Sequence, residues 1–239
     1  CESLLRLVAT WVGVQLQRKE ERRLTAVLQR VLRHNLRNSL NIIRGYADVI
    51  PDRPDCLPGL QIIREETRSL ENLAREAQEI EDLLREQTSR TTLELDSLVG
   101  EVVADVRRAN PHATIEVESP PSVTVRAISQ LGFALEELLT NAIQHADRPD
   151  PTVAVSIVGD EHDVTVQVAD DGPGIPETER LPLRGANEID PVNHGSGLGL
   201  WLVRLIVQQS GGSMSVDDRD PRGTVVSVRL PRNDRERAK

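Results

Sequence analysis

Apolar residues recur at helical intervals in the first third of the chain and alternate with polar ones in much of the rest. Leu24, Leu28, Leu32, Leu36, Leu40 and Ile43 step by four, four, four, four and three, which predicts one stripe of an amphipathic helix. Residues 1–50 hold no proline and only two glycines, and Pro51, Pro54, Pro58 and Gly59 are expected to end the helix. A second helix is predicted from about Leu60, where Leu70, Leu73, Ala77, Ile80 and Leu84 step by three, four, three and four, a heptad-like seam. Two long antiparallel helices with narrow apolar stripes cannot hide both stripes by themselves. Such a hairpin is expected to pair with a second copy as a four-helix bundle.

The pattern changes after Gln87, where TSRTTLEL reads as a linker. ATIEVES, TVAVSIV, DVTVQVAD and TVVSVRL carry apolar residues at period two and predict strands. Helical segments are predicted between them, near 95–109, 128–146 and 197–210. The expected fold is α+β, with helices on one face of a mostly antiparallel sheet. The terminal RNDRERAK has the composition of a disordered tail.

Composition narrows the function classes. The 239 residues carry a net charge of −9, which argues against a general nucleic-acid binder, since neutralising phosphates needs a basic face. No apolar run is long enough to span a bilayer, because LLRLVATWVGV is short and holds Arg6. Cys1 and Cys56 show neither CxxC spacing nor a disulfide framework, so a reducing cytosol is the expected setting. Lysine occurs only at Lys19 and Lys239 among the 29 cationic residues, which points to a high-salt or GC-rich source. The chain opens on Cys1 rather than Met, so further domains are expected upstream.

At about 100° per residue, His34 lies roughly 200° from both Leu32 and Leu36, so its imidazole is expected on the water-facing side with Arg30, Asn38 and Asn41. RHNLRNSLNIIRGYADVI resembles the H-box of sensor histidine kinases, whose dimerisation helix exposes a phosphoacceptor histidine. The resemblance implies that His34 accepts the phosphoryl group and that Asn38 positions water for dephosphorylating a partner. An imidazole of pKa near 6.5 suits the first role, being a competent neutral nucleophile. Two positions depart from the family pattern: Ser39 replaces a usual proline, and Asn35 replaces the acid that orients the ring and takes its proton. An amide can accept a hydrogen bond there but no proton.

The second half holds four further segments. In LEELLTNAIQHA, Glu137, Asn141 and His145 recur at i, i+4 and i+8 and share one helix face. DDGPGIP follows a predicted strand, HGSGLGL places Gly195, Gly197 and Gly199 at a helix start, and RGT opens the last strand. Glycine-flanked helix N-termini attract phosphate through unpaired N–H groups and the helix dipole. Taken in order, these resemble the N, G1, G2 and last glycine boxes of the histidine kinase ATP-binding domain, a Bergerat-type sandwich.

That resemblance implies a set of roles. Asn141 would hold Mg²⁺ and Glu137 would line the catalytic edge, with His145 beside them. Asp170 would accept the exocyclic amine of adenine, with Gly172 and Gly174 letting backbone approach the base. Gly195, Gly197, Leu198 and Gly199 would cradle phosphate, Thr224 would close the pocket, and residues 176–195 would form an ATP lid. The chain then divides into 1–19, the last helix of a GAF or PAS sensory module; 20–90, the dimerisation and phosphotransfer hairpin; 91–232, the catalytic domain; and 233–239, a disordered tail. It implies an ATP- and Mg²⁺-dependent homodimer that passes phosphate from His34 to a response-regulator receiver domain, and the flavour of RHNLRN is haloarchaeal-like. The competing readings are an ATP-binding scaffold or phosphatase-biased module, motivated by Asn35, and a non-kinase ATPase of the same fold.

Overall fold

The computed structural model describes residues 32–49, 57–85, 89–119, 123–175 and 197–233. Residues 32–49 form helix α1, and Leu57–Arg85 form helix α2. Helix α2 begins three residues before the apolar spacing predicts, with Pro58 and Gly59 inside its first turn. Proline is tolerated there because the first N–H groups of a helix have no intrahelical acceptor. Ile80 and Leu83 of α2 are buried. Of the predicted α1 stripe, Leu32 and Ile43 are half-buried, but Leu36 and Leu40 are 46% and 50% exposed. Leu24 and Leu28 lie outside the described residues. No helix among the described residues is long and apolar enough to cross a membrane.

The remaining described elements make a second compact unit. Part of the predicted linker is a strand, β1 (Thr91–Glu94), and it runs straight into helix α3 (Leu95–Ala109). Strands β2 (Thr114–Glu118) and β3 (Thr124–Ala127) follow, then helix α4 (Leu131–Gln144), strands β4 (Thr152–Gly159) and β5 (Asp163–Asp170), helix α5 (Gly197–Gln209), and strands β6 (Ser213–Asp218) and β7 (Thr224–Pro231). Helix α4 starts three residues later than predicted because Ser129 and Gln130 form a turn.

The main sheet has the order β2-β4-β5-β7-β6, with β2 parallel to β4 and the other pairs antiparallel. Strand β1 pairs with β3 as a separate ribbon. Alternating residues Val153, Val155 and Ile157 of β4, Val164, Val166 and Val168 of β5, and Val226, Val228 and Leu230 of β7 are buried. They meet the apolar stripes of α3 (Leu95, Val99, Val103, Val106), α4 and α5, with α4 lying between the other two helices. Period-two strands against period-3.6 helices thus build a two-layer α+β core. Asn233, the first residue of the segment expected to be disordered, is instead buried: its Nδ2 donates to Thr92 Oγ1 at 3.0 Å and its N–H to Thr124 O at 3.1 Å.

Candidate functional site

Strand pairing sets the first cluster. The register that pairs Ala169 with Val225 brings Thr224, first residue of β7, beside Asp170, last residue of β5. The N–H groups of Gly172 and Thr224 both donate to Asp170 Oδ1, at 2.8 and 3.1 Å. With one carboxylate oxygen saturated by backbone, Oδ2 is the oxygen left for an external donor. Thr224 is buried, Gly174 follows with φ 88°, and Gly172 lies under the end of α4, where a Cβ would come within 3.7 Å of His145 O. Gly223, at φ 116°, lies so close to Asp170 that any side chain would strike its carbonyl.

The second cluster joins α4 to α5. Glu137 is buried and accepts a 3.0 Å hydrogen bond from Asn141 Nδ2, one helical turn on. This orientation turns the amide's donor end to Glu137 and its oxygen, Oδ1, away from that contact. Helix α5 begins at Gly197 as the sequence predicts, and Gly199 packs directly on Glu137, where an added Cβ would collide with the carboxylate. The third expected member of this face, His145, is the exposed C-cap of α4, and its backbone N–H donates to Asn141 O. Gly195 and the expected lid, residues 176–195, lie outside the described residues, as does the side chain of Leu198.

In the helical unit His34 is exposed, as its angular position requires. Its Nδ1 lies 3.4 Å from Asn35 Oδ1 and 3.4 Å from Asn38 Nδ2. Both contacts engage the same ring nitrogen, so Nε2 is the nitrogen left to solvent.

The motifs did not disclose the arginines around the aspartate loop. Arg219 Nη1 donates to Asp170 O at 3.0 Å, and Arg222 Nε donates to Gly172 O at 3.0 Å while its Nη2 pairs with Asp147. Arg148 pairs with Asp171 at 2.8 Å. The Arg222 guanidinium holds the Asp147 carboxyl below the usual carboxylate range. Asp147, Arg148, Pro149, Asp150 and Arg222 border an open depression of about 320 Å³. Arg222 is the arginine of the RGT segment itself, but its partners lie 50 and 75 residues away.

Residues 127–234 match the family described as Histidine kinase-, DNA gyrase B-, and HSP90-like ATPase. The signal transduction histidine-protein kinase AfsQ2 of Streptomyces coelicolor is 25% identical over 221 residues, covering 84% of this chain. The chain carries the catalytic core of a sensor histidine kinase. This kinase core is also 27% identical over 209 residues to the methanogenesis regulatory histidine kinase FilI of Methanothrix harundinacea, covering 83% of the chain. It spans 40% of AfsQ2 and 24% of FilI, so it corresponds to less than half of either relative. Among solved structures, the mycobacterial sensor histidine kinase MprB aligns at 28% identity and a TM-score of 0.52, covering 60% of this chain and 98% of that one. The histidine kinase ThkA in complex with the response regulator TrrA shares the fold over 92% of this chain and 66% of that one, at a TM-score of 0.69 and 22% identity.

Proposed function

We propose that this kinase core transfers the γ-phosphoryl group of ATP to Nε2 of His34, and from there to an aspartate of a response-regulator receiver domain. The observation that carries the reading is an exposed imidazole, engaged by amides at Nδ1 only, on the same chain as the ATPase-family domain. In this reading Asp170 Oδ2 accepts the exocyclic amine of adenine, and a carboxylate there disfavours guanine, which presents a carbonyl. The free N–H groups at the start of α5, from Gly197 to Gly199, meet phosphate oxygens. Asn141 Oδ1 and the Glu137 carboxylate offer the oxygen donors that a hard cation takes. Bound Mg²⁺ would neutralise phosphate charge.

The Nε2 lone pair of His34 displaces ADP from the γ-phosphorus, and the Nδ1 proton leaves to water, since Asn35 can accept its hydrogen bond but not the proton. Positioning and charge neutralisation supply most of the acceleration. Asn38, one helical turn from His34, orients water when the phosphorylated partner is hydrolysed. The exposed Leu36 and Leu40 support a homodimer through a four-helix bundle. The partner class follows that of ThkA, whose structure holds a response regulator. A cytoplasmic setting supplies the ATP.

The test is incubation of the 239-residue chain with γ-labelled ATP and Mg²⁺. Label that is acid-labile and base-stable is expected on the native chain and absent from His34→Gln, which keeps its ADP affinity. Label persisting in that variant would remove His34 as the acceptor.

A further inference from the structure

The loop that carries Asp170 is held from outside by two arginines, Arg219 and Arg222. Asp170 and Gly172 expose two backbone carbonyls on either side of Asp171. Arg219 Nη1 donates to the first and Arg222 Nε to the second, each at 3.0 Å. Both arginines come from the β6–β7 hairpin, which the Arg219 N–H closes on Gly223 O at 3.0 Å. Gly223, lacking a side chain, lets that hairpin approach the Asp170 carbonyl. Arg222 is oriented by Asp147, beyond the end of α4, through an ion pair whose two side chains are 44% and 48% exposed. At such exposure the pair adds little stability, so its effect is to aim the guanidinium. The same hairpin leads into Thr224, whose N–H fixes Asp170 Oδ1.

We infer that Arg219 and Arg222 are positioning residues for the base-reading carboxylate: they lock the peptide planes around Asp170 so that Oδ2 is held for one donor geometry. This rests on the reading of Asp170 as the adenine contact. A guanidinium keeps its charge and forked donors throughout the physiological range, so the clip is permanent rather than pH-gated. Its effect falls on base selection, because the clip touches the aspartate loop and neither α5 nor the Glu137–Asn141 pair.

Calorimetric titration of the intact chain with ADP and with IDP separates the possibilities, since IDP presents a carbonyl where ADP has its amine. The native chain is expected to prefer ADP, and Asp170→Asn to lose that preference. Arg219→Gln and Arg222→Gln should each weaken ADP about threefold to tenfold, the range of an ordinary net hydrogen bond, with IDP affinity and maximal autophosphorylation rate held within about twofold. Arg222→Lys, which keeps the charge but reaches one partner at a time, should fall between. Arg229→Gln, which removes a comparable surface pair with Asp163, should leave the ADP to IDP ratio unchanged. Equal loss for both nucleotides, or no loss for either, overturns the positioning role while Asp170 stands. Full ADP affinity in Asp170→Asn takes down the adenine contact and the clip together.

Discussion

At the scale of single residues, two glycines matter for what they leave out. Gly199 faces the Glu137 carboxylate so closely that a methyl group would overlap it, and Glu137 is the side chain that orients Asn141. Overpacking of this kind costs about 1–3 kcal/mol. Gly199→Ala is therefore expected to slow autophosphorylation at least about fivefold by displacing Glu137, with the circular dichroism spectrum preserved. Gly223 adds a conformational requirement to the steric one, because φ 116° is strained for any L side chain, at about 1–3 kcal/mol. Gly223→Ala should lower both melting temperature and ADP affinity. A fall in one without the other would show that the hairpin and Asp170 are not mechanically joined.

At the scale of elements, the tight connections decide how accurately the strands deliver their residues. The β4–β5 hairpin turns on Asp160, whose Oδ1 accepts N–H groups of His162 and Asp163, each at 2.8 Å. The Asp163 and His162 amides hold the Asp160 carboxyl below its usual range. A carboxyl lowered by folding contributes stability above its unfolded pKa and loses it as pH falls through the folded one. The contribution should be complete above the unfolded carboxylate range and be lost as pH falls through the lower folded value. Asp160→Asn should narrow the gap between urea midpoints at pH 7 and pH 2.5 relative to the native chain. An identical gap would mean that the turn does not sense the charge. In the same unit, Arg90 Nε donates to Gln209 O at 2.7 Å, so the segment entering β1 caps the C-terminus of α5.

At the scale of the whole molecule, each of the two units can be read by itself. The ATPase-like unit buries most of its apolar residues within one chain, with Val117 and Val158 exposed, whereas α1 leaves Leu36, Leu40 and Val49, and α2 leaves Leu60, on its surface. Exposed leucines at four-residue spacing are what an intermolecular helix seam requires. Replacing Leu36 and Leu40 together by Glu should convert a dimer into a monomer in sedimentation equilibrium without moving the nucleotide affinity of the other unit. A variant that stays dimeric would place the contact elsewhere.

Much of this was legible in the order of residues. Period-two and period-3.6 patterns located β2, β4, β5, β7, α3 and α5 to within a residue or two, because burying an apolar face is a local demand written into spacing. The exposure of His34 followed from helical angle alone, and the Glu137–Asn141 contact from one turn of helix. Strands β1, β3 and β6 escaped, since TTLE and TVRA are four residues long and SMSVDD is mostly polar, and their pairing is decided by neighbours distant in sequence. The exposure of Leu36 and Leu40 agrees with the expectation that one hairpin cannot cover both of its stripes. Only the tertiary structure decided that both backbone donors fall on one oxygen of Asp170 and that Arg219 and Arg222 reach back 49 and 50 residues to grip the aspartate loop. Hydrogen bonds between segments so far apart depend on strand register and hairpin direction, which no local periodicity encodes.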